Sequence, residues 1–183
     1  DHKGFFAMMA RMKYIERWAL MRNSVSENIC EHSLEVAMLA HGLGIIGRKR
    51  FGKDLSPERL AMLGMYHDCT EIITGDMPTP VKYANDELKE AYKAIEDSAA
   101  HRLLEMLPED LRAEYESYFL PEQITPEEYR YVKAADKLSA LIKCIEEEKT
   151  GNQEFRSAKQ ATYESLQQMN MPEVTVFCEV FLP

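Results

Sequence analysis

Between Glu27 and Ile46 the chain carries Ile29, Leu34, Val36, Ala37, Leu39, Ala40, Leu43 and Ile46, a spacing that leaves almost no side of a helix polar. A helix apolar around most of its circumference has to be enclosed by other elements. The rest of the chain is patterned to supply them. Phe5, Met8, Met9, Met12 and Ile15 predict a helix from Phe5 to about Arg17. Gly47 and the cations Arg48, Lys49 and Arg50 are expected to end the central helix, basic side chains suiting the negative end of its dipole. Ser56-Pro57-Glu58 joins a capping hydroxyl to a proline at the first helical position and predicts a helix running to Thr74, with Gly75 as its stop.

A long helix is expected from about Asp86 to Leu107, broken by Pro108, and a short one through Leu111 and Tyr115 ends near Pro121. Thr125-Pro126-Glu127-Glu128 combines a capping box with a first-turn proline and opens a stripe through Tyr131, Val132, Ala135, Leu138, Ile142 and Ile145. Gly151-Asn152 closes it, Glu154 to Met169 predict another helix, and Val174 to Phe181 a last short one. No repeat, low-complexity segment or convincing sheet pattern occurs. The 183 residues, 45% hydrophobic, suffice for one sizeable core, so the expectation is an all-α, single-domain helical bundle over residues 1–183. The chain begins without Met and stops at Pro183, and trimmed ends are expected.

Charge narrows the partners: 22 basic against 31 acidic residues give −9, with no basic stripe to displace the counterions of a nucleic-acid polymer. A small-molecule partner is expected. Cys30, Cys69, Cys144 and Cys178 are scattered without a CxxC pair and fit reduced core thiols. No apolar run approaches the roughly 18 residues of a membrane span, and the first residues are no signal peptide, so a cytoplasmic protein is expected, with no membrane partner.

Met65 to Pro80 concentrates the chemistry. An apolar helix runs into adjacent His67 and Asp68, which differ by about 100° around a helix and can both reach one ion. Glu71 follows one turn later on the same side, as a proton-transfer group or a carboxylate that orients a neighbour. The loop Gly75-Asp76-Met77-Pro78-Thr79-Pro80 is stiffened by two prolines, which either hold groups still beside a site or simply join two helices. His32 inside the central helix and Asp136 at the border of an apolar face are costly to bury alone. Together His32, His67, Asp68 and Asp136 offer two nitrogens and two oxygens, a set suited to one divalent Co, Mn, Zn, Fe or Ni ion rather than Ca, and less natural for Mg. The competing reading of Asp136 is a salt bridge to Lys133 or Lys137. His41, His101 and the terminal His2 read as ordinary packed or surface residues.

This order of a His, an adjacent His-Asp and a distant Asp resembles the HD-domain metal-dependent phosphohydrolases. Within them, Arg17-Trp18, Glu31-His32-Ser33-Leu34, Tyr66-His67-Asp68 with Glu71, Gly75 to Lys82 and Ala135-Asp136 are similar to the bacterial 5'-deoxynucleotidases. The resemblance implies an all-helical homodimer whose His32, His67, Asp68 and Asp136 hold the metal. It implies that Arg17 orients the 5'-phosphate of a deoxynucleoside 5'-monophosphate, and that Trp18 packs against the sugar and leaves little room for a 2'-hydroxyl. Asp76 would accept from the 3'-hydroxyl, and Met77, Pro78 and Thr79 would complete the nucleoside side, with His32 and Asp68 also facing the substrate. Arg17 and Glu71 are then the expected catalytic residues.

Elementary chemistry agrees with those roles. Water on such an ion has a lowered pKa, and a planar guanidinium grips phosphate as Lys would not. Glu71 can deprotonate the attacking water or protonate the leaving 5'-oxygen. Trp18, the single tryptophan, could instead simply bury apolar area. The expected activity is hydrolysis of deoxyribonucleoside 5'-monophosphates with little base selection. The alternatives are phosphohydrolysis of nucleoside triphosphates, cyclic nucleotides or guanosine polyphosphates, and a non-catalytic nucleotide-binding module. A triphosphate would call for more cations than Arg17 and Lys82.

Overall fold

Local capping explains why longer helices of the computed structural model start at Ile29, Pro57, Asp86 and Pro126; it describes residues 4–183, and His2 lies outside them. The helices are α1 (Phe5–Met9), α2 (Ile29–Phe51), α3 (Pro57–Tyr66), α4 (Glu71–Thr74), α5 (Thr79–Lys82), α6 (Asp86–Leu104), α7 (Glu109–Phe119), α8 (Pro126–Lys149), α9 (Arg156–Gln168) and α10 (Pro172–Phe181). Asn85 Oδ1 accepts from Leu88 N at 2.7 Å to open α6. At α8 the expected capping box is complete: Glu128 N donates to Thr125 Oγ1 at 3.1 Å and Thr125 N donates to Glu128 Oε2 at 3.0 Å. The all-α class holds, with no strand among the described residues.

α6 ends at Leu104, short of the expected Leu107, and three other boundaries differ more from expectation. The first helix ends at Met9, tightens into a 3-10 turn at Ala10–Tyr14, and becomes extended at Ile15. Its backbone groups go elsewhere: Ile29 N donates to Ile15 O at 2.9 Å and Arg17 N to Glu27 O at 2.8 Å, around an isolated antiparallel bridge between Glu16 and Asn28. The expected helix to Thr74 breaks after Tyr66, so His67 to Thr70 form a turn ahead of α4. Gly47 does not stop α2, which runs on to Phe51 before Gly52 turns the chain at φ +63°. At Gly47 a Cβ would meet Leu55 Cδ1 at 2.8 Å, Glu173 Oε1 at 3.0 Å and Tyr131 Oη at 3.2 Å, so its glycine serves close packing.

Packing divides the described chain into two units. One comprises residues 4–22, 26–32 and 66–124, the other 23–25, 33–65 and 125–183. The core of the first gathers Phe5, Ile29, Cys69, Ile72, Leu103 and Phe119, with the Phe5 and Tyr115 rings edge to face at 4.9 Å. In the second, Val36, Ala40 and Leu43 of α2 pack with Leu60, Leu138 and Leu166. That unit also buries Glu147, whose carboxylate accepts from Lys143 Nζ at 2.6 Å, Asn152 Nδ2 at 2.9 Å and the Ser24 backbone N at 2.9 Å.

By length and composition α2 matches a membrane span, more than its sequence suggested; half of its most apolar stretch is buried inside the protein, as in a core helix. Cys69 and Cys144 are buried and Cys178 is half-buried, but Cys30 is exposed rather than a core thiol. Leu34, expected to be enclosed with the rest of α2, is exposed as well.

Candidate active site

The first unit brings most of the expected site residues together. His32 sits in the first turn of α2, wholly buried. His67 and Asp68 lie in the turn after α3, where Cys69 N donates to Tyr66 O at 3.0 Å and Glu71 N to Asp68 O at 3.0 Å. These i to i−3 bonds wind the chain more tightly than an α-helix. Asp68 Oδ2 thereby lies 3.1 Å from His67 Nε2 and 3.4 Å from His32 Nε2, with the two imidazole centroids 5.4 Å apart. Ligand atoms of His32, His67 and Asp68 all fall within 4.8 Å of one another.

Two imidazole nitrogens converging on one carboxylate oxygen are a donor set for a divalent transition ion. Each neutral ring offers a lone pair, and a cation shared among them compensates a carboxylate that burial would otherwise penalise. The residues fit a metal. Asp136 lies on α8 in the second unit, half-buried, with Lys133 Nζ 3.8 Å from its Oδ2. This ion pair with Lys133 is present, at a distance too long for a hydrogen bond.

Around this cluster Arg17 places Nη1 3.7 Å from Asp68 Oδ2. Its Nε donates to Glu27 Oε2 at 3.1 Å, and Trp18 Nε1 donates to the same oxygen at 2.8 Å. Trp18 holds φ at 60°, a left-handed conformation unusual for a bulky residue. Its backbone N–H donates to the Asp76 carboxylate; burial pushes that carboxyl up and Arg17 opposes the shift. Glu71 is buried at the start of α4, and burial, reinforced by the charges of Asp68 and Asp76, pushes its carboxyl up to about 9. Its Oε2 has no hydrogen-bond partner among the described residues.

Gly75 turns the chain at φ 74°, after which Asp76, Met77 and Pro78 are half-buried and Thr79, the first residue of α5, is exposed. The loop is pinned from α6, a contact the sequence did not reveal: Tyr92 Oη lies 3.2 Å from Thr74 Oγ1 and donates to Gly75 O at 3.4 Å. Lys82 donates to Glu96 at 3.0 Å and its ammonium lies 4.7 Å from the Tyr92 ring centroid, so it braces the loop. Glu27 was also missed. Nothing in its local sequence marks it, since its role depends on residues brought in from the preceding loop.

The fold is that of the HD-domain phosphohydrolases. A structure of one from Listeria innocua superposes with a TM-score of 0.85 at 23% identity, covering 98% of this chain and 86% of that one. The cyanophage S-2L HD phosphohydrolase DatZ, solved with dA and one catalytic Zn2+ ion, superposes with a TM-score of 0.68 at 22% identity, covering 96% and 95%. The family model described as 5'-deoxynucleotidase YfbR-like matches residues 4–183, and the chain belongs to that family. The Vibrio cholerae 5'-deoxynucleotidase is 48% identical over 179 residues, covering 98% of this chain and 92% of the relative.

Proposed function

We propose that the protein is a cytoplasmic, metal-dependent 5'-deoxynucleotidase. It removes phosphate from deoxyribonucleoside 5'-monophosphates as one homodimeric HD domain, with little selection among bases. One arrangement carries this reading: Arg17 and Trp18 stand beside the His32, His67 and Asp68 cluster, with Arg17 Nη1 3.7 Å from Asp68. An anion-gripping fork and a flat apolar wall next to a metal-type donor set suit a phosphate on a sugar.

His32, His67, Asp68 and, from α8, Asp136 would hold the ion. When bound, a divalent cation supplies Lewis acidity, polarising a phosphoryl oxygen and making water more acidic. Arg17 grips the phosphate oxygens and aligns phosphorus for attack. As water adds to phosphorus and the bond to the 5'-oxygen breaks, the Glu71 carboxyl gives its proton to that leaving oxygen and recovers one from the attacking water. Burial suits Glu71 to this by raising its carboxyl and so favouring the protonated form. Trp18 closes the 2' side of the sugar, Asp76 accepts from the 3'-hydroxyl, and Met77, Pro78 and Thr79 line the nucleoside side. With Lys82 engaged by Glu96, a longer polyphosphate would meet little added positive charge from this loop.

The test is phosphate release from paired deoxyribo- and ribonucleoside 5'-monophosphates after metal stripping and re-addition of Co, Mn, Mg or Zn. Metal-dependent release confined to the deoxy series is expected. Preferential release from triphosphates, or tight nucleotide binding without release under any metal, would overturn the proposal.

A further inference from the structure

Glu27 belongs to none of the metal, phosphate or sugar contacts assigned above, yet Arg17 and Trp18 meet on one of its oxygens. Oε2 accepts from Arg17 Nε at 3.1 Å and from Trp18 Nε1 at 2.8 Å, and the Glu27 side chain is only 11% exposed. The backbone adds a clip at the same place, Arg17 N donating to Glu27 O at 2.8 Å beside the Glu16 and Asn28 bridge. Trp18 is half-buried, with the following Ala19 and Leu20 exposed, so a bond at its ring N–H is well placed to fix the indole. Hydrogen bonds to an ionised carboxylate are short and strong enough to do so.

Resting on the roles proposed above for Arg17 and Trp18, we infer that Glu27 is the positioning residue for sugar discrimination. Its single oxygen ties the indole that walls off the 2' position to the guanidinium that grips the phosphate. With the tie in place, a phosphate seated on Arg17 brings the sugar against a wall that cannot retreat, and an added 2'-hydroxyl collides or loses its solvation unpaired. With the tie removed, the indole can swing aside and the ribose fits.

The experiment uses the metal-loaded full chain and measures kcat and KM for matched deoxyribo- and ribonucleoside 5'-monophosphates in wild type, E27A, E27Q and W18F. The kcat/KM ratio of deoxy to ribo substrate is expected to fall about tenfold in E27A, the scale of one lost steric contact. E27Q keeps a carbonyl acceptor and should restore most of the ratio. W18F keeps a ring but loses the N–H and should resemble E27A, and the double variant should be no worse than the singles, because both remove the same tie.

Trp18 is the single tryptophan, so its fluorescence reads the tie without turnover. Acrylamide should quench it more readily, and its anisotropy should be lower, in substrate-free E27A. If E27A does not fold, E27Q and W18F still carry the comparison. A wild-type ratio and wild-type quenching in a folded E27A would overturn the role of Glu27 while leaving the deoxynucleotidase reading intact. Equal phosphate release from both sugars by the wild type would instead overturn that reading, and sugar discrimination by Glu27 with it.

Discussion

Glu71, in the proton-transfer role proposed for it, would serve reactivity at the expense of stability. Its buried carboxyl, raised to about 9, sits above its unfolded value of about 4.3, so ionising it is harder in the fold than out of it. The resulting penalty is absent below pH 4, grows as pH rises through the unfolded value, and is complete above the folded one. In metal-stripped protein Glu71→Gln should therefore melt higher than wild type at pH 8, with the gap closing toward pH 5. The same substitution should lower kcat by about 10²-fold or more, because proton transfer is lost. A melting difference independent of pH would contradict the first expectation, and undiminished kcat the second. At this scale His32, His67, Asp68 and Glu71 were legible because an imidazole or carboxylate on an apolar helix face is conspicuous. Glu27 and Tyr92 were not, since each meets its partners through contacts that exist only once the loops are folded.

Among the elements, starts were easier to read than stops. Ser56-Pro57 and Thr125-Pro126-Glu127-Glu128 open α3 and α8 where expected, because capping depends on neighbouring residues alone. The break after Tyr66 carries neither Gly nor Pro; it is made by i to i−3 bonds that the burial of Cys69 and Glu71 holds in place. The premature end of α1 likewise follows from the bridge between Glu16 and Asn28, whose partners are distant in the chain. Gly47 misled in the opposite sense, since a glycine inside a helix marks a close neighbour as readily as a stop. Gly47→Ala should press on Glu173 and Tyr131 and cost about 1–3 kcal/mol, the usual range for overpacking. Urea unfolding measures it, and a neutral result would show that Leu55 and Glu173 can shift aside.

At the scale of the whole molecule, acid sensitivity is expected to centre on Glu147, which is 2% exposed and held well below the usual carboxylate range by Lys143, the Ser24 and Val25 backbone and Asn152. A depressed carboxyl contributes its full stabilisation above the unfolded value of about 4.3 and loses it as pH falls toward the folded one. Glu147→Gln should cost about 3 kcal/mol at pH 7 by leaving Lys143 buried without its counter-charge, and should flatten the fall in stability below pH 4. Urea titrations from pH 3 to 7 test both. Metal should act in the opposite direction: a cation at 100 times its Kd adds about 2.7 kcal/mol to the folded state, a gain His67→Ala should abolish. A melting temperature unchanged by any divalent ion would count against the donor set formed by His32, His67 and Asp68.

The left-handed backbone at Trp18 has a consequence for any lineage or library that varies this position. Every side chain except glycine, and to a lesser degree asparagine, meets the same penalty of about 1–2 kcal/mol there. Glycine at position 18 would relieve that penalty, but it gives up a half-buried indole and its bond to Glu27, losses of about 3–5 kcal/mol that outweigh the relief. Variants ranked only by heat resistance should therefore keep an aromatic ring at this position, and a screen that counterselects ribonucleotide turnover should pull the same way.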